Sequence, residues 1–270
     1  MHIMNEEKLQ KALQIAINSA KEAGKELKKH YGRVEVESKS DSGIESIDIV
    51  TKLDRQTEKF LSEQFMNFDD SIGFRGEEFG VENHADITWL VDPIDGTSHF
   101  VRGIPFCTTM IALVENGTVV MSVINDFVRE ETYWAIRGKG AFKDGERIFV
   151  SNRPLSQAVL SFETRLENPE NIESFIKVRK AAGGILSTIN CGFEFTMIAS
   201  GKLDARITQD PYGHDWDYAP GTLLVEEAGG IVKNHGSNNY DFTNHNYIAA
   251  NPLVFKELTQ GDNAIFGSNT

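Results

Sequence analysis

Trp89-Leu-Val-Asp-Pro-Ile-Asp-Gly-Thr-Ser98 (WLVDPIDGTS) drives three apolar residues into an aspartate, a proline, a second aspartate and then Gly-Thr. Asp92 and Asp95 repel one another at that separation unless a cation lies between them. An apolar run ending in a proline-stiffened turn aims both carboxylates at one point. The carbonyl of Ile94, between the two acids and freed from the strand ladder, is a further oxygen donor. If a helix starts at Gly96-Thr97-Ser98, its first amides lack intrahelical partners and carry partial positive charge, which suits an anion. Metal ligands beside such a helix start point to a phosphate clamped between cations and amides. Two ions about 4 Å apart in that position activate water and stabilise a leaving alkoxide.

Other carboxylates occupy similar junctions. Asp48 precedes Ile49-Val-Thr, Glu77 and Glu78 follow Gly76 in IGFRGEEFG, and Asp217 opens the helical stretch in HDWDYAPG. Each stands where an apolar element meets a turn, so all can reach a common cleft. Hard oxygen donors suit Mg²⁺, Mn²⁺ or Ca²⁺, and the lack of His/Cys clusters argues against zinc. Singly, each acid has a structural reading. An Asp before a turn is an Asx cap, Glu77-Glu78 favour a helix dipole, and Asp217 is an N-cap. His214 reads as a packed or hydrogen-bonding histidine, Glu226-Glu227 as a solvated helix face, and Cys107 and Cys191 as small buried hydrophobes. The combination of junction acids outweighs those separate readings.

The rest of the chain sets the frame. Its 270 residues are 40% hydrophobic and 25% charged, enough for one large domain or two lobes. A formal net charge of −13 speaks against a nucleic acid or an anionic membrane as partner. Two cysteines make neither a disulfide framework nor a zinc spacing, and the N-terminal stretch mixes charge throughout, so a cytoplasmic enzyme is expected. Leu9, Leu13, Ala16, Ile17, Ala20, Ala23, Leu27 and Tyr31 form one helical face; Leu53, Phe60, Leu61, Phe65 and Phe68 form another. Between them VEVESKSDSGIESIDIVTKLD reads as a serine-rich loop. From Trp89 to Val150 the texture is β, with TTMIALV, TVVMSVI, ETYWAI and GERIFV as strands and Asn116-Gly117 and Asp144-Gly145 as hairpin turns. After Pro154 a strand (AVLSF), a helix over 170–182, a helix–strand pair, a glycine-closed helix, a strand at Tyr247–Ala250 and a helix from Pro252 follow. The pattern predicts an α+β lobe over 1–150 carrying most of the junction acids and an α/β lobe over 151–270 carrying Asp217 and the substrate side.

Glu77-Glu78 some fifteen residues before WLVDPIDGT, with WDYAPGTLLVEEAGG far downstream and DIVTKLD upstream, resembles the inositol monophosphatase family. The resemblance spans Asp48 to Gly230 in the family's order. It implies a layered α/β/α/β/α sandwich, usually homodimeric, that uses two to three Mg²⁺ ions (Mn²⁺ as a substitute) and is lithium-sensitive. Carried over, Glu77, Asp92 and the Ile94 carbonyl hold one metal, Asp92, Asp95 and Asp217 a second, and a third lies near Glu77. Thr97, hydrogen-bonded to Asp48, orients or deprotonates the attacking water. The Gly96 and Thr97 amides hold the phosphate, and Asp95 and Asp217 lie near the leaving oxygen. The substrate implied is a small phosphate ester, inositol 1-phosphate by default, with fructose 1,6-bisphosphate, histidinol phosphate or 3′-phosphoadenosine 5′-phosphate as rivals. A non-catalytic regulatory protein on the same fold is the more distant alternative. Two departures bear on the substrate. DPIDGT continues Ser98-His99-Phe100 rather than Thr-Asn-Phe, and Ile189-Asn190-Cys191 replaces a small Gly-Ser/Thr-Ala run. The acid that binds substrate hydroxyls maps onto Asp210, with Glu194 as second candidate; Arg102 and Arg165 are the candidates for a second phosphate.

Overall fold

The protein is described by a computed structural model over residues 4–33, 45–81, 85–262 and 264–267; side chains of residues 45–51 lie outside the description. Helix α1 (Glu6–His30) buries the expected stripe, and the Asn5 side chain accepts from the Lys8 amide at its start. Helix α2 (Glu45–Phe68) begins inside the stretch read as a loop. Its apolar spacing becomes periodic only from Leu53, so its first turns left no amphipathic signature.

An eight-stranded sheet follows, built from β1 (Gly73–Gly76), β2 (Gly80–Val81) and β3 (Ile87–Asp95) and, after the short helix α3 (Thr97–Arg102), β4 (Thr108–Glu115), β5 (Thr118–Asp126), β6 (Glu131–Ile136), β7 (Gly140–Lys143) and β8 (Glu146–Arg147). The order is β2-β1-β3-β4-β5-β6-β7-β8, antiparallel except where β1 runs parallel to β3. The GERIFV strand is cut to its first ladder pairs, and Phe149 is exposed.

Strand alternation then sets the layers. Trp89, Val91, Ile111, Leu113, Met121 and Val123 pack with α1 and α2, and Trp89 stacks on Phe65 at 4.2 Å. Leu90, Met110, Ala112 and Ile124 face the other way, against a helix pair described next.

The remaining elements are β9 (Val159–Thr164), α4 (Pro169–Ala181), β10 (Gly184–Ile185), α5 (Cys191–Ala199), β11 (Ala205–Gln209), α6 (Asp215–Glu227), β12 (Ile231–Asn234), β13 (Tyr247–Ala250) and α7 (Pro252–Thr259). The second sheet runs β10-β9-β11-β13-β12. Helices α5 and α6 lie between the two sheets, contributing Phe195, Ile198, Leu223 and Leu224 to a core that also takes in Tyr247 and Ala249. Leu160, Ile207 and Ile248 pack outward with Val178 of α4 and Val254 and Leu258 of α7. The result is an α/β/α/β/α sandwich. Helix α6 is apolar nearly all round because it is buried between sheets, which explains why its sequence lacks a clean stripe.

The reading of Glu226-Glu227 changes. Glu227 accepts from the Gly138 and Gly140 amides, both at 2.7 Å, and Glu226 pairs with Arg137, so this helix end pins the β6–β7 turn instead of facing solvent. His214 is exposed and precedes α6, its ring against Trp216. Among the described residues no helix is long and apolar enough to cross a membrane.

Candidate metal and phosphate site

Strand β3 is regular as far as Asp92 and then bulges. Asp92 pairs in register with Met110 and Asp95 with Thr108, so three steps along β3 oppose two along β4. In a regular strand residues three apart face opposite ways; one extra residue returns Asp95 to the side of Asp92 and re-aims it toward the helix layer. The proline-stiffened turn is thus a bulge inside a strand.

Asp95 is held from three directions. Its Oδ2 accepts from the Thr108 hydroxyl at 2.8 Å and the Gly192 amide at 2.6 Å, and its Oδ1 from the Cys191 amide at 3.3 Å. A Cβ on Gly192 would lie 2.8 Å from Asp95 Oδ2, so a glycine is required where α5 meets the carboxylate. Glu77 follows β1, its amide donating to Val91 O at 3.2 Å. Asp217 lies in the first turn of α6 and accepts from the His214 amide at 2.5 Å. Arg75 ties these last two elements together. From β1 it donates to Asp215 Oδ2 at 2.6 Å and lies 5.3 Å from the Trp216 ring, two neighbours of Asp217.

The four acids are mutually repulsive. Asp92 is 1% exposed and its Oδ1 has no hydrogen-bond partner. Burial, then the charges of Glu77, Asp95 and Asp217, hold its pKa well above the carboxylate range. Burial and Asp217 raise Asp95 to about 7. Glu77 is open to solvent as a whole residue, yet its carboxylate is crowded into the cluster. Loss of hydration, then the Asp217 charge, raises it to about 7. Asp217 is raised chiefly by burial. Such a set, rich in oxygen donors and with an orphaned buried oxygen, fits a hard divalent cation.

Two further acids were missed by the sequence reading. Asp54 is buried with Oδ1 unpartnered, and burial followed by Glu78, Glu77 and Glu58 lifts it to about 8. It is the final aspartate of DIVTKLD, so the motif held the signal. Glu58 accepts from the Glu78 and Phe79 amides, each at 2.9 Å, and so shapes the turn after Glu77. Nothing in the pattern of α2 marks it out.

On the anion side, Gly96 has φ 86°, and a Cβ there would meet Asn190 Nδ2 and Phe106 O, both at 2.5 Å. The His99 and Phe100 amides return to Gly96 O, which leaves the Thr97 and Ser98 amides at the start of α3 without an intrahelical acceptor. The Thr97 hydroxyl donates to Ile94 O at 2.9 Å. Asp48 falls within α2, and its side chain, with the expected Thr97 contact, lies outside the described residues.

Glu77, Asp95, Gly96 and Asp217 line a cleft of about 800 Å³ that runs on to Glu163, Glu194 and Arg206 and to a rim of Leu166, Phe175, Ile185, Ile189 and Tyr212. Asp210 is not among the lining residues. It is exposed, at φ 53°, with Arg165 Nε 3.6 Å away. The acids lining this part of the cleft are Glu163 on β9, the register partner of Thr208, and Glu194 on α5, the second candidate of the sequence reading. Glu163 accepts from Arg206, from Tyr218 OH at 3.2 Å and from the Tyr212 amide at 2.9 Å. Glu194 is buried and binds Arg206, Ser161 and the Thr188 hydroxyl. Ile189 is 81% exposed with φ 57°, a left-handed conformation in a β-branched residue. Arg102 is exposed and donates to Ser98 O at 2.7 Å.

The sequence profile of the inositol monophosphatase family matches residues 8–265. A fructose-1,6-bisphosphatase/inositol-1-monophosphatase of Thermotoga maritima is 31% identical over 255 residues, covering 94% of this chain and 96% of its own. Nus factor SuhB of Pseudomonas aeruginosa is 30% identical over 262 residues, covering 93% and 95%. The crystal structure of the extragenic suppressor protein suhB of Bartonella henselae superposes with a TM-score of 0.78 at 28% identity, covering 90% of this chain and 94% of that one.

Proposed function

We propose, for a chain that belongs to the inositol monophosphatase family and is a phosphoric monoester hydrolase, that it cleaves the monophosphate of a small polyol or sugar, inositol 1-phosphate foremost. The observation that carries this is the clustering of four acids with raised pKa values, Glu77, Asp95 and Asp217 lining the cleft and Asp92 buried on the same strand as Asp95. These side chains, with the Ile94 carbonyl, would hold Mg²⁺. When bound, the cation supplies Lewis acidity to the attacking water and charge neutralisation to the leaving oxygen. Thr97 commits its own proton to Ile94 O, so its oxygen lone pairs are available to a water O–H and can orient that water toward phosphorus. The Gly96 and Thr97 amides at the helix start would receive the phosphate oxygens.

A monophosphate is favoured because Arg206 is the sole Lys or Arg among the described lining residues, and two glutamates already neutralise it. Glu163 is placed to accept hydrogen bonds from leaving-group hydroxyls. The proposal extends to two or three Mg²⁺ ions, Mn²⁺ as substitute, lithium sensitivity, a homodimer and a cytoplasmic location, all carried by family resemblance. A relative named as a Nus factor favours a second reading, a regulatory protein on this fold.

Phosphate release from inositol 1-phosphate, fructose 1,6-bisphosphate, histidinol phosphate and 3′-phosphoadenosine 5′-phosphate, with and without Mg²⁺, decides between them. Mg²⁺-dependent release from inositol 1-phosphate, lost in Asp92→Asn, is expected. Metal binding without turnover of any ester would favour the regulatory reading, and an Asp92→Asn variant of normal activity would remove the mechanism.

A further inference from the structure

Cys191 opens α5, and it does not simply fill space. Its ligand atom and one from each of Asp95 and Asp217 lie within 4.8 Å of one another. A second observation points to a cation at that place: Asp92, on the same bulged strand as Asp95, keeps a buried Oδ1 without a hydrogen-bond partner. Burial holds the metal-free thiol well above its usual range, and the Arg206 charge is the opposing influence. Arg206 donates an N–H to Cys191 Sγ at 3.2 Å, and its ion pairs with Glu163 and Glu194 hold the guanidinium in place.

We propose that Asp95, Cys191 and Asp217 form a mixed carboxylate–thiol site for a thiophilic divalent cation of the zinc or cobalt class. Mg²⁺ takes oxygen ligands and leaves a thiol alone, so under magnesium Cys191 is a neutral neighbour. Zinc and cobalt accept sulfur, and metal–sulfur distances of about 2.3 Å with metal–oxygen distances of about 2.0–2.2 Å would draw the three ligand atoms to about 3.5 Å from one another. On binding, the sulfur–metal bond forms as the S–H bond breaks. The proton passes to solvent, and no electron is transferred. N–H donation from Arg206 stabilises the resulting thiolate. Because Asp95 and Asp217 serve both kinds of ion, the soft cation displaces the hard one. Inhibition of phosphate release by this displacement rests on the phosphatase reading; the site itself does not.

The test is a Co²⁺ titration of chelator-treated protein, followed by the near-ultraviolet sulfur-to-cobalt charge-transfer band, in the unaltered chain, Cys107→Ser and Cys191→Ser. Cys107 is the internal control, since it is buried and its Sγ is directed at Gly96 O and Ile104 O. The band is expected in the unaltered chain and in Cys107→Ser and absent in Cys191→Ser. Zn²⁺ affinity in Cys191→Ser, measured by competition with a chromophoric chelator, should fall at least about tenfold. Circular dichroism establishes that each variant is folded. A band that persists in Cys191→Ser, or no band in the folded unaltered chain, overturns the proposal. A cobalt–sulfur band in a protein that hydrolyses no ester would instead sustain the site and remove the phosphatase reading.

Discussion

Removing metal from this protein should reverse the usual effect of mild acid on a folded domain, and Asp95→Asn isolates the cause. Asp95 is 6% exposed, and burial with the Asp217 charge raises its folded pKa to about 7, against 3.8 for the ordinary side chain. Its stabilising protonation is fully available below the lower value and is lost as pH rises through the upper one. Between about pH 5 and pH 7 the folded protein keeps a proton that the unfolded chain has released. The metal-free protein therefore loses on the order of 2 kcal/mol of stability from this group across the window. That corresponds to a melting temperature about 4–8 °C lower at pH 7 than at pH 5. Asp92 and Glu77 act in the same direction, so the substitution removes part of the slope and not all of it. The assay is thermal unfolding of chelator-treated protein at pH 5, 6 and 7, followed by circular dichroism, for the unaltered chain and Asp95→Asn. Saturating Mg²⁺ should flatten or invert the slope, because the cation binds the ionised carboxylates. Equal slopes in both proteins, or a metal-free protein that gains stability from pH 5 to pH 7, would refute the electrostatic account.

Arg75→Ala releases β1 from the first turn of α6, and the apparent Mg²⁺ affinity should weaken by about tenfold or more in a titration of activity or of melting temperature. Ile189→Asn relieves the left-handed strain at an exposed position and should stabilise by up to about 1 kcal/mol in urea unfolding. Leu90→Ala empties a site between the first sheet and the central helices and should cost about 2–5 kcal/mol by the same measurement. Gly192→Ala brings a methyl against Asp95 Oδ2, and its steady-state kinetics should show a larger loss in kcat than any shift in unfolding midpoint explains.

Much of this protein was legible before any coordinates. The stripe from Leu9 to Tyr31, the alternation in β3 to β6 and the Asn-Gly and Asp-Gly turns are local signals, because side-chain periodicity and turn chemistry depend on near neighbours. The junction acids of the opening stretch were legible for a related reason: two carboxylates three residues apart at a strand end conflict unless a cation reconciles them. Local signals fade where burial comes from both sides. Helix α6 has no stripe to read, and the start of α2 is as polar as a loop.

What joins distant segments was decided by the tertiary structure alone. The bulge that turns Asp95 to the face of Asp92 exists only in the register of β3 against β4. Asp210 had the expected residue type and place in the chain, but its turn sets it beside Arg165, while Glu163 from β9 and Glu194 from α5 line the cleft. Cys191 read as a small hydrophobe until the packing of α5 set it against Arg206, Asp95 and Asp217. A sequence specifies which groups a chain carries and the local geometry of each. Which of them share one volume of low dielectric, and so must be paired, protonated or bridged by a cation, follows only from how the sheets and helices stack.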